Sequence, residues 1–171
     1  MIKILVWPEI AMKETTIDFK DNLVISITSP GREHVAIKGT NIHKFQFHDV
    51  TEEYFLENQN RIVRPIEKEI AESIVEVALR NKDCSQWIIH CEAGVSRSPA
   101  VAMGLGKYIS LEPGVKELEK LFPSYNTYVR ELIEETLYLK VQEECIKNLG
   151  YLVDSFKISN GQKLVEVLHE R

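Results

Sequence analysis

Residues His90-Cys91-Glu92-Ala93-Gly94-Val95-Ser96-Arg97-Ser98-Pro99 place a thiol and a guanidinium six positions apart. A thiolate is a strong nucleophile, and a planar guanidinium offers a fork that matches two oxygens of a phosphate. The residues between them, Glu92, Ala93, Gly94, Val95 and Ser96, supply backbone N–H groups that can form a bowl around three oxygens. Gly94 permits a backbone conformation that other residues resist. A helix starting just after the loop would add partial positive charge at its N-terminus. The field that favours a phosphate dianion also favours thiolate over thiol. Such a set could carry in-line attack of Cys91 on phosphorus through a phosphocysteine intermediate, with Arg97 and the amides meeting the charge on the equatorial oxygens. Ser98 could then donate a hydrogen bond to the departing sulfur. His90 is expected to orient the loop through its ring nitrogens rather than to transfer protons.

These groups need a scaffold that holds them. Trp87-Ile88-Ile89 reads as a short buried strand entering the loop, and Ala100 to Tyr108 as a tightly packed helix leaving it. Upstream, Ile2 to Val6, Leu23 to Thr28 and His43 to Val50 read as strands, the first ended by Pro8 and the second by Ser29-Pro30-Gly31. A helix opens at Pro65, with Ile66, Ile70, Ile74, Val77 and Ala78 as its stripe, and Asn81-Lys82-Asp83 breaks it. Leu111 to Gly114 reads as a turn, Val115 to Leu121 as a short helix, and Val129, Leu132, Ile133, Thr136, Leu137 and Val141 as the stripe of another. Strands alternating with helices imply an α/β fold: a mostly parallel twisted sheet of four to five strands with helices on both faces. Ligands in such folds bind beyond the C-terminal ends of strands, where the Cys91 loop stands. The expected organisation is a catalytic domain over 1–150 and an extension over 151–171. Asn160-Gly161 in the extension suggests a small hairpin; a terminal helix over 162–170 is the competing reading.

The loop resembles the signature of cysteine-dependent protein-tyrosine and dual-specificity phosphatases, His-Cys-x5-Arg-Ser/Thr. Its wording from Cys91 to Ala102 is similar to compact bacterial and viral members. The resemblance extends over about residues 1–140, through Val24–Gly31, Phe47–Val50 and Ser124–Leu132. It implies a phosphatase-like fold and hydrolysis of phosphomonoesters on proteins or peptides, at Tyr(P) and also at Ser/Thr(P), with neither metal nor cofactor. An aspartate upstream of the signature serves as general acid in that family, and Asp49 matches its position. Glu52 and Glu53 are the fallback acids, and a helix-capping role is the alternative for Asp49. The family also carries an asparagine where this chain has Asn126, which could tie its loop to the signature turn or cap the following helix.

Other features admit chemistry that the loop does not require. Cys84 could form a reversible disulfide with Cys91, or simply pack. Cys145 reads as a helix-face residue. Cys84, His90 and Cys91 lack a fourth ligand for zinc. Arg61 and Arg64 could bind a second anionic group or form a solvated surface. Gly104-Leu105-Gly106-Lys107 lacks the spacing and the hydroxyl residue of a nucleotide loop. Lipid-phosphate members of the resembled superfamily tend to carry basic residues among the loop variables; no lysine stands there in this chain, so the resemblance disfavours a phosphoinositide substrate. Alternatives to a protein phosphatase are a phosphate-binding module without turnover, a sulfur-transfer or arsenate-reducing thiol enzyme, and a small-molecule or RNA-end phosphatase.

Composition narrows the partners. The 171 residues carry a net charge of −5, which disfavours general binding to nucleic acid or anionic membranes. Three cysteines do not suggest a disulfide framework, and no apolar run is long enough to span a bilayer. A reducing cytoplasm is the expected compartment. Oligomeric state is left open.

Overall fold

The computed structural model describes the backbone of residues 1–15, 19, 22–57 and 63–169, with side chains described as far as residue 149 apart from residue 52. The side chain of Glu52, a fallback acid, and the whole of Arg61, an anion ligand in one reading, therefore lie outside what is described.

Five strands form one sheet: β1 (Ile2–Pro8), β2 (Leu23–Thr28), β3 (Ile42–Gln46), β4 (Gln86–Cys91) and the two-residue β5 (Leu111–Glu112). Their order is β3-β2-β4-β1-β5, and every pairing is parallel. The fold is α/β, as the alternation of elements implies. All of β2 is buried, as are Trp87 to Cys91 in β4. Side chains alternate across a strand, so these two central strands are covered on both faces. One face holds Val24 and Ile88 with Met12, Phe19 and Val35.

The helices are α1 (Glu9–Glu14), α2 (Glu52–Glu57), α3 (Lys68–Arg80), α4 (Arg97–Gly106), α5 (Val115–Leu121) and α6 (Thr127–His169). Among the described residues, no helix is long and apolar enough to cross a membrane. α1 follows β1 without a linker, and its six residues are too few to show a stripe in the sequence. α3 begins three residues later than Pro65 suggests, because Glu67 is extended and acts as the N-cap. α4 begins at Arg97, so its first turn belongs to the signature loop itself. Leu111-Glu112 pairs with Ile2 and Lys3 rather than forming only a turn.

The chain divides into two compact units, Met1–Leu137 and Tyr138–Arg171. Within the first, Val129, Ile133 and Leu137 of α6 are fully buried. Gly104 of α4 lets the two helices approach: a Cβ there would lie 2.8 Å from the Arg130 carbonyl and from Ile133. The backbone of residues 151–169 is helical, so the expected hairpin is not formed and the helical alternative holds. Leu149, Leu152, Val153 and Phe156 follow i, i+3, i+4, i+7 spacing, which outweighs the local turn signal of Asn160-Gly161.

The register fixes where the chemistry lies. Cys91 pairs with Pro8, and His90 with both Trp7 and Ser26. β4, β1 and β2 therefore end together, and the loop after Cys91 crowns that edge of the sheet.

Candidate active site

The loop from Cys91 to Arg97 curls back on the sulfur. Gly94 N–H donates to Cys91 Sγ at 3.3 Å, and Ser98 Oγ lies 3.2 Å from the same atom. Gly94 adopts φ +72°, the left-handed region that favours glycine. A Cβ at this position would lie 2.5 Å from Pro8 N and 2.8 Å from the Trp7 carbonyl carbon. Two constraints therefore require glycine here, and the second comes from β1 rather than from the loop. The Glu9 amide donates to the Glu92 carbonyl at 3.1 Å and ties the loop to α1. Among the described residues, no carbonyl accepts the N–H groups of Ala93, Val95 or Ser96.

Cys91 is 2% exposed, Arg97 5%, and Ser98 and His90 0%, so the sulfur and the cation are both set below the surface. The Arg97 guanidinium is held on two sides. Nη1 donates to the Phe47 carbonyl at 2.9 Å and to Ser29 Oγ at 3.4 Å, and Nη2 pairs with Glu92 Oε2. The buried Nε has no hydrogen-bond partner among the described residues. Burial pulls the Arg97 pKa below its ordinary value, while Cys91 and Asp49 nearby pull it back up.

Glu92 has a role that its place in the sequence did not reveal. It reads there as one amide among five; in the fold its carboxylate anchors the Arg97 guanidinium. Oε1 accepts from the Ser29 amide at 3.1 Å and from Ser29 Oγ at 3.0 Å, and it lies 3.5 Å from Arg32 Nη1. Arg32 in turn pairs with the buried Glu9 at 2.9 Å, and Glu9 with Lys13 at 2.5 Å. These pairings hold the Glu9 carboxyl below the usual carboxylate range, its bond from Lys13 being the largest cause. Charges thus alternate from Lys13 through Glu9, Arg32 and Glu92 to Arg97. Ser29 was legible only as part of the Ser29-Pro30-Gly31 turn and Arg32 not at all, because their partner lies some sixty residues away.

Asp49 lies past the end of β3, three residues beyond Gln46, and is exposed. Its Oδ1 accepts from Ser96 Oγ at 2.7 Å and from Asn126 Nδ2 at 3.0 Å. Ser96 is the N-cap of α4, yet its side chain makes no capping bond and turns to Asp49 instead. Asn126 fills the capping role, but its side-chain amide goes to Asp49 rather than to the signature turn, which only its backbone N–H reaches, at the Ser96 carbonyl 3.4 Å away. Its Oδ1 accepts from the Val129 amide at 3.0 Å to cap α6, while its amide nitrogen reaches Asp49. Asp49 does not cap α2: Thr51 Oγ1 does so, accepting from Tyr54 N–H at 3.2 Å.

No family model matches the chain, and no curated protein matches it.

Two expectations require correction. His90 does not orient the loop through its ring nitrogens: both are buried without a hydrogen-bond partner among the described residues. The ring is packed behind the loop, and burial, then the nearby His34, lowers its pKa to about 4. Its place in the β4 ladder sets the loop's start instead. Cys84 cannot bridge to Cys91. They stand at opposite ends of β4, and Gln86 to Cys91 alone spans about 17 Å; a disulfide needs Cα atoms within about 7 Å. The same separation prevents Cys84, His90 and Cys91 from converging on a metal.

Proposed function

We propose that this chain is a phosphomonoester hydrolase of the protein-tyrosine/dual-specificity phosphatase type, working through a phosphocysteine. One observation carries the reading. Cys91 Sγ is contacted by the Gly94 amide and Ser98 Oγ in the loop that also brings a buried Arg97, whose Nε–H is unpartnered among the described residues, into electrostatic range of the sulfur. A buried donor without a partner is costly, and an oxyanion would satisfy it.

The chemistry follows from these positions. The Cys91 thiolate attacks phosphorus and forms an S–P bond as the P–O bond to the leaving group breaks. Asp49, protonated for this step, gives its proton to the leaving oxygen. Both donors that hold Asp49 fall on Oδ1, which leaves Oδ2 to carry that proton. Charge on the equatorial oxygens meets the loop amides, the N-terminus of α4 and the Arg97 fork, already in place. In the second step the Asp49 carboxylate takes a proton from water, which attacks phosphorus. The S–P bond breaks, Ser98 donates a hydrogen bond to the leaving thiolate, and inorganic phosphate departs. The scheme calls on no metal or cofactor. The substrate class is a phosphorylated protein or peptide, at Tyr(P) and at Ser/Thr(P).

Hydrolysis of p-nitrophenyl phosphate by wild type and Cys91→Ser tests this directly. The variant should lose about a thousandfold or more in kcat, and vanadate should inhibit the wild type. Equal rates in the two proteins would refute the reading.

A further inference from the structure

Beside the candidate active site lies a cleft of about 300 Å³ whose lining includes Pro30, Phe47, His48, Arg64 and Glu67. Its lining is contiguous with the catalytic set. Pro30 follows Ser29, which holds Glu92. Phe47 gives its carbonyl to Arg97. His48 precedes Asp49.

Arg64 is fixed at this cleft by its backbone. Its N–H donates to His48 Nδ1 at 3.1 Å, and its carbonyl accepts from the His48 amide at 3.3 Å. Because Nδ1 accepts, the neutral His48 ring carries its proton on Nε2, a further donor. The Arg64 side chain is exposed, and among the described residues no carboxylate pairs with it. The other four lining residues named above include one carboxylate, Glu67, at the N-cap of α3.

We propose that this cleft is a second anion subsite, in which Arg64 and His48 receive a carboxylate or a second phosphate carried by the substrate close to the phosphoryl group attacked by Cys91. The proposal rests on the phosphatase reading and adds what that reading lacks, a preference for acidic surroundings of the target residue. The cleft is large enough for one side chain or one phosphate with its water. A guanidinium binds either through charge-assisted hydrogen bonds. Glu67 opposes the anion and sets the limit on affinity.

The test uses three phosphopeptides that differ at one flanking position, carrying Ala, Glu or phosphoserine, with wild type, Arg64→Met and Glu67→Gln. Wild type should show kcat/KM about fivefold higher for the Glu peptide than for the Ala peptide, and higher still for the doubly phosphorylated one. The gain should lie in KM and shrink with added salt. Arg64→Met should erase it while leaving the Ala peptide and p-nitrophenyl phosphate unchanged, and Glu67→Gln should enlarge it. A gain with both Glu and phosphoserine identifies a general anion site; a gain with phosphoserine alone identifies a second phosphate as the occupant. Equal rates on all three peptides in wild type, or equal losses on all three in Arg64→Met, would overturn the proposal. Calorimetric binding of the same peptides to Cys91→Ser and to Cys91→Ser/Arg64→Met separates the two ideas. Arg64-dependent discrimination in binding without wild-type turnover would sink the phosphatase reading and keep the subsite.

Discussion

Asp49 and Ser96 are joined by a 2.7 Å hydrogen bond across forty-seven residues of sequence. It links the loop after β3 to the N-cap of α4, and Asn126 joins the same carboxylate oxygen from just before α6. Three segments of the chain thus meet on one acid. Asp49→Asn should lower kcat on phosphotyrosine by about a hundredfold or more and flatten the acidic-to-neutral limb of the pH profile. Ser96→Ala should lower kcat several-fold and leave KM nearly unchanged, since it only positions the acid. Steady-state kinetics across pH check both. Unchanged turnover in Asp49→Asn would mean that another group protonates the leaving oxygen.

Glu92 holds Arg97 from one side, and Ser29 holds Glu92. Removing the carboxylate leaves a buried guanidinium without its counter-charge. Glu92→Ala should cost about 3 kcal/mol of stability and weaken vanadate binding, measured by denaturant titration and by inhibition. Arg32→Ala, half-exposed in the middle of the same chain of charges, should cost no more than about 1 kcal/mol. A larger loss from Arg32 than from Glu92 would reverse the proposed hierarchy.

Gly94 is confined both by its positive φ and by the backbone of β1. Gly94→Ala forces the loop away from Pro8, because a backbone nitrogen 2.5 Å from the new Cβ cannot yield as a flexible side chain would. The expected result is loss of activity by a hundredfold or more with roughly 1–3 kcal/mol of destabilisation. Gly31→Ala offers the comparison: its φ is +81°, but nothing lies within 4 Å of its Cβ position, so strain acts there without collision. Activity in Gly94→Ala equal to that in Gly31→Ala would show that the close approach to β1 does not matter.

His90 makes stability depend on pH. Its pKa is about 4 in the folded chain, lowered from 6.5 by burial. Between these values the unfolded chain binds a proton that the folded chain does not. The stabilisation is therefore complete above about pH 6.5 and is lost progressively as pH falls toward 4, reaching about 3 kcal/mol. Denaturation midpoints should fall over that interval, and the imidazole proton signals of His90 should not titrate until near pH 4. A His90 titration near 6.5 would contradict the burial described here.

How much of this was legible beforehand depended on the range of the interaction. The Cys91–Arg97 loop is local, and its glycine, its flanking strand and its following helix all declare themselves within twenty residues. β2, α5 and the first turns of α6 follow from spacing alone. Asp49 was legible only by resemblance, since nothing local separates it from a helix cap; the fold separates them by giving the cap of α2 to Thr51. The roles of Glu92, Ser29 and Arg32 were hidden, because a charged loop residue reads as solvated until its partner arrives from the turn after β2. The single-turn α1 has too few residues to carry a period. At the C-terminal end, Asn160-Gly161 is a strong local turn signal, and a longer helical spacing overrode it.

The account stands on a covalent bond between Cys91 and phosphorus, and trapping that bond tests it most directly. With p-nitrophenyl phosphate, whose leaving group needs little protonation, Asp49→Asn should still form the intermediate but hydrolyse it slowly. Rapid acid quench, digestion and mass spectrometry should find one phosphoryl group on the peptide containing Cys91. Turnover that leaves every peptide unmodified, or a phosphoryl group on a residue other than Cys91, would contradict it.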